Sequence, residues 1–211
     1  MIKVPGLVAA YRFENDANDW SGNGNNGTIY GATFTDGKFG KALNSDSAND
    51  YVECGNAASL SGAGTALSIE VWIKAFTLGY YPIVNKFDTD WSSYFYGYSL
   101  SVEQGQNVRL WLGFGTTTNP FQTDSNLINP GAWYHIIVTY NGSYVRIFIN
   151  GQLKSEFPET RTVVGSNRIL YIAGPSAYNI NRLVDEIRIY NRALSESEIR
   201  QSMLGYTPGE F

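Results

Sequence analysis

Residues 15–27 read NDANDWSGNGNNG, and ten of the thirteen are Asn, Asp or Gly. Asn and Asp hydrogen-bond their own backbone and Gly enters positive φ freely, so the stretch is predicted as a tightly folded loop and not as strand or helix. A loop this dense in oxygen atoms invites a hard cation, which takes carboxylate, amide and backbone oxygens without demanding ideal geometry. A second carboxylate bears on the same chemistry. In residues 183–190, LVDEIRIY, strand alternation places Asp185 on the face of Leu183, Ile187 and Ile189. A bare charge there is costly, so Asp185 needs a cation or hydrogen-bond donors at its oxygens. Two readings follow: the early loop and the late strand meet around one calcium ion, or Asp185 is only capped by backbone N–H groups or paired with an arginine.

Other chemistries are poorly supplied. Glycoside hydrolysis needs two carboxyls about 5 to 9.5 Å apart, which a sandwich usually draws from one strand at i, i+2 or i, i+4. Glu70 stands alone beside Trp72 and Lys74, Glu186 is followed two residues on by Arg188, and Asp185 and Glu186 are predicted on opposite faces. His135 is the single histidine and sits mid-strand in an apolar run, as a hydrogen-bonded structural residue does, so a Ser-His arrangement is not expected. Gly22-Asn23-Gly24-Asn25-Asn26-Gly27 matches G-x-G-x-x-G, but no strand leads into it and no helix follows, so the phosphate cradle is missing. Asn26-Gly27-Thr28 and Asn141-Gly142-Ser143 fit the N-glycosylation pattern, which matters only in a eukaryotic secretory host.

Binding is better provided for. Residues 80–98 hold eight aromatics, Tyr80, Tyr81, Phe87, Trp91, Tyr94, Phe95, Tyr96 and Tyr98, more than one core can absorb. Sugars present flat C–H patches rimmed by hydroxyls, so a site for them needs exposed rings beside hydrogen-bonding groups. Trp91 has Asp88, Asp90, Ser92 and Ser93 nearby, Tyr94 and Tyr96 share one side of an extended chain, and Arg109 with Trp111 can form the facing part of a groove. The competing reading is that Phe95 and Tyr98 enter the core and the segment merely covers a sheet edge.

The elements that must position these residues are strands. Residues 68–74, SIEVWIK, put Ile69, Val71 and Ile73 on one face and Glu70, Trp72 and Lys74 on the other, and residues 108–113 alternate likewise around Arg109 and Trp111. Asn141-Gly142 and Asn150-Gly151 between apolar runs predict two successive hairpins. Only after Leu194 does the period change: Ser195-Glu196-Ser197-Glu198 is a capping box, and Ile199, Met203 and Leu204 supply the apolar side of one short helix. Many short strands with no alternating helices imply an all-β, two-sheet antiparallel jelly-roll sandwich with one short C-terminal helix, its termini close together.

At 211 residues one domain, 1–211, suffices. A chain 15% aromatic and only 16% charged is folded rather than disordered. With a net charge of −4 and no Lys/Arg cluster there is no useful counterion-release term, so nucleic acid is not an expected partner. No run reaches the ~18 apolar residues of a membrane span, and the lone Cys54 is read as a small buried filler. Met1 and Gly209-Glu210-Phe211 read as the edges of a module cut from a longer secreted protein.

In this order, several phrases make the chain resemble the laminin-G-like jelly-roll domains of the concanavalin A-like lectin/glucanase superfamily. They are GLVAAYRF (residues 6–13), WSGNGNNGT (20–28), DGKFGKAL (36–43), WYH (133–135), ING (149–151) and VDEIRIYNRALS (184–195). The resemblance implies a calcium ion near the rim of the sandwich, structural in role, with Asp19, Ser21, Asn23 and Asn26 in the loop phrase and Asp185 in the late acidic phrase as its ligands. Asp16 and Glu14 are substitutes if the register is shifted. It also implies an accessory module that binds carbohydrate or protein. The function expected is therefore a non-catalytic carbohydrate-binding module of a larger extracellular protein, stabilised by calcium, with a poly- or oligosaccharide as partner and Trp91, Tyr94, Tyr96, Arg109 and Trp111 at the sugar site. The alternative is a protein-interaction or structural domain, on an adhesin or a virion surface, with no sugar site.

Overall fold

The computed structural model describes residues 4–79, 81–89, 94–174 and 181–205. In chain order the strands are β1 (Leu7–Tyr11), β2 (Thr28–Tyr30), β3 (Thr33–Asp36), β4 (Lys41–Ser45), β5 (Tyr51–Glu53), β6 (Leu67–Ala75), β7 (Tyr81–Asn85), β8 (Asp88–Thr89), β9 (Phe95–Tyr96), β10 (Tyr98–Val102), β11 (Val108–Gly113), β12 (Thr118–Gln122), β13 (Trp133–Tyr140), β14 (Tyr144–Ile149), β15 (Gln152–Pro158), β16 (Tyr171–Ile172) and β17 (Arg182–Tyr190). A 3-10 turn covers Ala58–Leu60, and one helix, α1, covers Glu196–Ser202. One sheet runs β15-β14-β13-β6-β17-β4-β3, with β1 also paired to β17; the other runs β12-β11-β10-β7-β16-β5-β2. Every registered pair is antiparallel, as the alternating patterns and Asn-Gly turns require. No helix among the described residues is long and apolar enough to cross a membrane.

The core lies between the sheets. Ile69, Val71 and Ile73 of β6 and Val184, Ile187 and Ile189 of β17 face Tyr98, Leu100 and Val102 of β10 and Val108, Leu110 and Leu112 of β11. Each such side chain contributes about 1.5–3 kcal/mol by leaving water. A smaller cluster on the outer face of the eight-stranded sheet, including Leu7, Ile137, Phe148, Tyr190, Leu194 and Ile199, is covered by α1. The helix begins at the predicted capping box, with Ser195 accepting from the Glu198 N–H and the Glu198 side chain accepting from Ser195. Leu204, expected on its apolar side, is 70% exposed.

The first and last strands are neighbours, with Leu7 opposite Tyr190 and Tyr11 opposite Ile187. Strand β17 departs from the predicted alternation. Its pairing with β6 shifts between Asp185 and Arg188, and Glu186 takes φ 49°, a bulge that breaks simple alternation. Val184, Ile187 and Ile189 therefore point inward, and Asp185 does not share a face with Ile187 and Ile189 as the periodicity suggested.

Candidate functional site

Alternation on β11 sends Val108, Leu110 and Leu112 into the core and leaves Arg109 and Trp111 on the outer face of the seven-stranded sheet. There Trp111, Ser99 and Asn85, register partners on β11, β10 and β7, form the floor of a groove of about 330 Å³. Pro82, Phe87 and Phe95 line it too, with Thr118 at β12. The Phe87 ring lies 6.0 Å from Trp111 and 6.2 Å from Phe95. Gly113 permits this wall: a Cβ there would come within 2.5 Å of the Phe95 backbone, which crosses to exchange hydrogen bonds with Gly115. The result is a shallow site with aromatic surface and a hydroxyl and an amide between the rings, the combination that suits a hydroxylated, C–H-bearing ligand.

Of the five residues expected at a sugar site, the groove includes Trp111 alone among the described ones. Arg109 lies with its guanidinium carbon 5.7 Å from the Trp111 ring centre, donates from Nε to Gln122 Oε1 at 2.9 Å and sits 3.6 Å from Glu103, but does not line the groove. Tyr94 and Tyr96 stack on each other, 6.3 Å apart and nearly parallel, and do not line the groove. Trp91 lies outside the described residues, as do Tyr80, Asp90, Ser92 and Ser93. Tyr98 is in the core as expected, whereas Phe95, also expected there, walls the groove. Missed altogether were Asn85 and Ser99; the outward phase of Ser99 opposite Trp111 is a signal only once the β10–β11 register is known.

The Asn/Asp/Gly loop folds as predicted but spends its oxygens differently. Asp19 accepts from the backbone N–H of Ala10, Ser21 and Asn25 and from Ser21 Oγ, all at 2.8–2.9 Å, which fills its four lone-pair positions. Ser21, Asn23 and Asn25 donate to the Val8 carbonyl, and Asn26 Oδ1 accepts the Asp19 N–H. The loop thus covers the edge of β1, supplying side-chain partners where a neighbouring strand would supply backbone. Asp185 belongs to a different anchor: its Oδ2 accepts the N–H groups of Lys38 and Phe39 at 2.9 and 3.0 Å, in the β3–β4 turn. Four of the five expected calcium ligands, Asp19, Ser21, Asn23 and Asn26, are tied together in the loop by hydrogen bonds, whereas Asp185 is anchored at the β3–β4 turn; with its lone pairs already filled, Asp19 is poorly placed to serve an ion as well.

Asp185 nonetheless keeps one buried oxygen, Oδ1, with no partner among the described residues. Burial, helped by the charge of Glu186, pushes its carboxyl up to about 7 against the backbone amides of Phe39, Lys38 and Glu186 that pull it down. Glu14, named as a substitute ligand, lies over the same turn, accepting the Lys41 N–H at 3.1 Å with its carboxylate against Gly40. An unpartnered oxygen and a second carboxylate at one turn suit a cation better than the loop does, although no group of three or more His, Cys, Asp or Glu able to hold a metal occurs among the described residues.

On the outer face of the eight-stranded sheet, Glu70 Oε1 accepts from His135 Nε2 at 2.9 Å and from Arg188 at 3.1 Å, and Arg188 also pairs with Glu186. Glu186 and Arg188 share this face by ordinary alternation, and the bulge at Glu186 adds Asp185 to it, so the two adjacent carboxylates are not on opposite faces as alternation alone predicted. Burial alone raises the Glu70 carboxyl, but Arg188 and His135 outweigh it and hold it low; Glu186, raised first by burial, is only partly offset by Arg188. Trp72 stacks on His135 at 4.9 Å, and the Lys38 ammonium lies 4.4 Å above Trp72. His135 and Glu70 are 1% and 0% exposed, so this is a buried ion network, with His135 in the structural role expected of it.

No curated protein matches the chain. Among solved structures, domain 4 of AbnA, a GH43 extracellular arabinanase from Geobacillus stearothermophilus in complex with arabinotriose, is similar at 25% identity and a TM-score of 0.71, covering 94% of this chain and 98% of that one. The binding domain of Paraclostridial Mosquitocidal Protein 1 is similar at 22% identity and 0.78, covering 95% and 52%. The botulinum neurotoxin serotype D ligand binding domain in complex with N-acetylneuraminic acid is similar at 17% and 0.74, covering 95% and 51%. This chain thus spans about half the length of the toxin binding domains it matches. The profile that describes the concanavalin A-like lectin/glucanases superfamily matches residues 46–200, and with the two-sheet antiparallel sandwich this shows that the chain belongs to that superfamily.

Proposed function

We propose that this chain is a non-catalytic carbohydrate-binding module of a larger extracellular protein and that it takes saccharide on the outer face of its seven-stranded sheet. The observation that carries this is the groove beside Trp111, where Phe87 and Phe95 supply apolar surface and Asn85 and Ser99 supply hydrogen-bonding groups. Similar structures include one in complex with arabinotriose and one in complex with N-acetylneuraminic acid, and the arabinanase is extracellular. A binding role without chemistry is supported by the pairing of carboxylates on this side of the molecule: Asp88 is held by Arg168 at 2.7 Å, and Glu103 by Ser101 and Arg109.

The structural calcium is assigned, in this reading, to Asp185 with Glu14 and not to Asp19 and its companions. Bound there it ties β17 to the β3–β4 turn and stabilises the folded state by mass action. A glycan array probed with the wild type and with Trp111→Ala, with and without chelator, tests the function. Binding lost in Trp111→Ala supports it; silence of the wild type across all glycans removes it.

A further inference from the structure

The Trp111 groove is one end of a longer surface. Trp111, Ser99, Asn85, Tyr171 and Glu53 are successive register partners on β11, β10, β7, β16 and β5, a single row across five strands. Strands lie about 4.8 Å apart, so Tyr171 stands about 14 Å and Glu53 about 19 Å from Trp111 along this row. At the far end the surface is aromatic again. Tyr51, two residues from Glu53 on the same face of β5, stacks on Tyr30 at 4.8 Å and meets the Tyr171 ring edge-on at 5.8 Å. Tyr30 is 40% exposed and its hydroxyl donates to Glu53 Oε2 at 3.4 Å. Between the two aromatic ends lie Asn85 and Ser99.

The charge on this face sets what can lie on it. Glu53 is close enough to its neighbours to raise the Tyr30 hydroxyl, by its charge first, and that of Tyr171 after burial. The cations near the face are already engaged, Arg109 by Gln122 and Glu103 and Arg168 by Asp88. An acidic sugar would be repelled by Glu53 and would have to compete with Asp88 and Glu103 for the two guanidinium groups, whereas a neutral sugar offers hydroxyls whose hydrogen bonds Glu53 can accept.

We propose that the two aromatic patches bind one neutral, linear oligosaccharide laid across the strands, with one part in the Trp111 groove and another on the Tyr30–Tyr51–Tyr171 platform beside Glu53. This rests on the carbohydrate-binding reading above and extends it to a substrate class and a second subsite. An extended glycan advances roughly one strand spacing per unit, so about four or five units join the patches and a disaccharide fills only one.

The test is calorimetric titration of wild type, Trp111→Ala, Tyr51→Ala and Tyr30→Ala with two- and six-unit oligosaccharides from arabinan and from β-glucan, and with sialyllactose. Circular dichroism checks each variant's fold, and the exposed Tyr30 covers the case in which Tyr51→Ala does not fold. The expected result is that wild type binds a six-unit chain about tenfold more tightly than the two-unit one, that Tyr51→Ala and Tyr30→Ala each erode this gain, and that Trp111→Ala weakens both lengths. If Trp111→Ala abolishes binding while both tyrosine variants bind six units as wild type does, the second subsite is overturned and the carbohydrate reading survives. Tighter binding of sialyllactose than of any neutral chain overturns the charge selectivity. Silence of the wild type toward every probe overturns this proposal together with the reading beneath it.

Discussion

The Ala10 amide, on the free edge of β1, donates to the Asp19 carboxylate at 2.9 Å, so a side chain occupies the position that a ninth strand would fill. Two further amides and a hydroxyl converge on the same carboxylate. Charge-assisted bonds of this kind are each worth about 1.5–3 kcal/mol and are not additive. Asp19→Ala should therefore lower stability by about 2–3 kcal/mol in urea unfolding, and the loss should be the same in chelator as in calcium.

Calcium should act elsewhere. At about 100 times its dissociation constant, a ligand of the folded state adds about 2.7 kcal/mol, or roughly 5–10 °C in Tm for a domain of this size. Thermal unfolding with millimolar calcium should show such a rise in wild type and in Asp19→Asn, but not in Asp185→Asn or Glu14→Gln. A rise that survives both of the latter would remove the cation from the β3–β4 turn.

Arg188 is shared by Glu70 and Glu186, both buried. Removing it takes the ion-pair partner from Glu186 and leaves Glu70 dependent on His135, so Arg188→Met should cost about 3–5 kcal/mol. Neutralising the partners as well, in Glu70→Gln/Glu186→Gln/Arg188→Met, should recover much of that loss. Denaturant midpoints of the two variants make the comparison.

Helix α1 carries a pH dependence. Glu198, held chiefly by Arg192 at 2.6 and 2.9 Å and by the capping bonds to Ser195, has its carboxyl lowered from 4.5 to about 2. A depressed carboxyl stabilises fully above its unfolded value, so this contribution should be intact above about pH 4.5 and fade as pH falls toward 2. Glu198→Gln should flatten the stability profile across that window, as read by urea midpoints at several pH values.

The parts of this molecule written in short-range code could be read from the sequence. Asn150-Gly151 takes positive φ at both residues, as the tight hairpin turn demands, and SIEVWIK turned Ile69, Val71 and Ile73 inward. Ser195 and Glu198 made the cap that their spacing announced. The bulge at Glu186 was not legible, because Glu has no special preference for the left-handed region and the turn is imposed by pairing with β6. Neither was the Tyr30–Tyr51–Tyr171 patch, since its members come together only through the order β16-β5-β2. The loop at residues 15–27 is ambiguous in sequence for another reason. Asn, Asp and Ser are the side chains that a cation wants, and they are equally those that an uncovered strand edge wants.

Because Leu7 sits opposite Tyr190, the chain enters and leaves the sandwich at one corner. A host protein pulled through this module would load the β1–β17 pair as a zipper, opening its hydrogen bonds one after another instead of shearing them together. The bonds from Asn191 N to Gly6 O at 2.9 Å and from Arg192 Nε to Pro5 O at 2.8 Å close the open end of this pair. Pulled from the C-terminal side, α1 would have to peel away first, and those two contacts would then guard the opening of the strand pair.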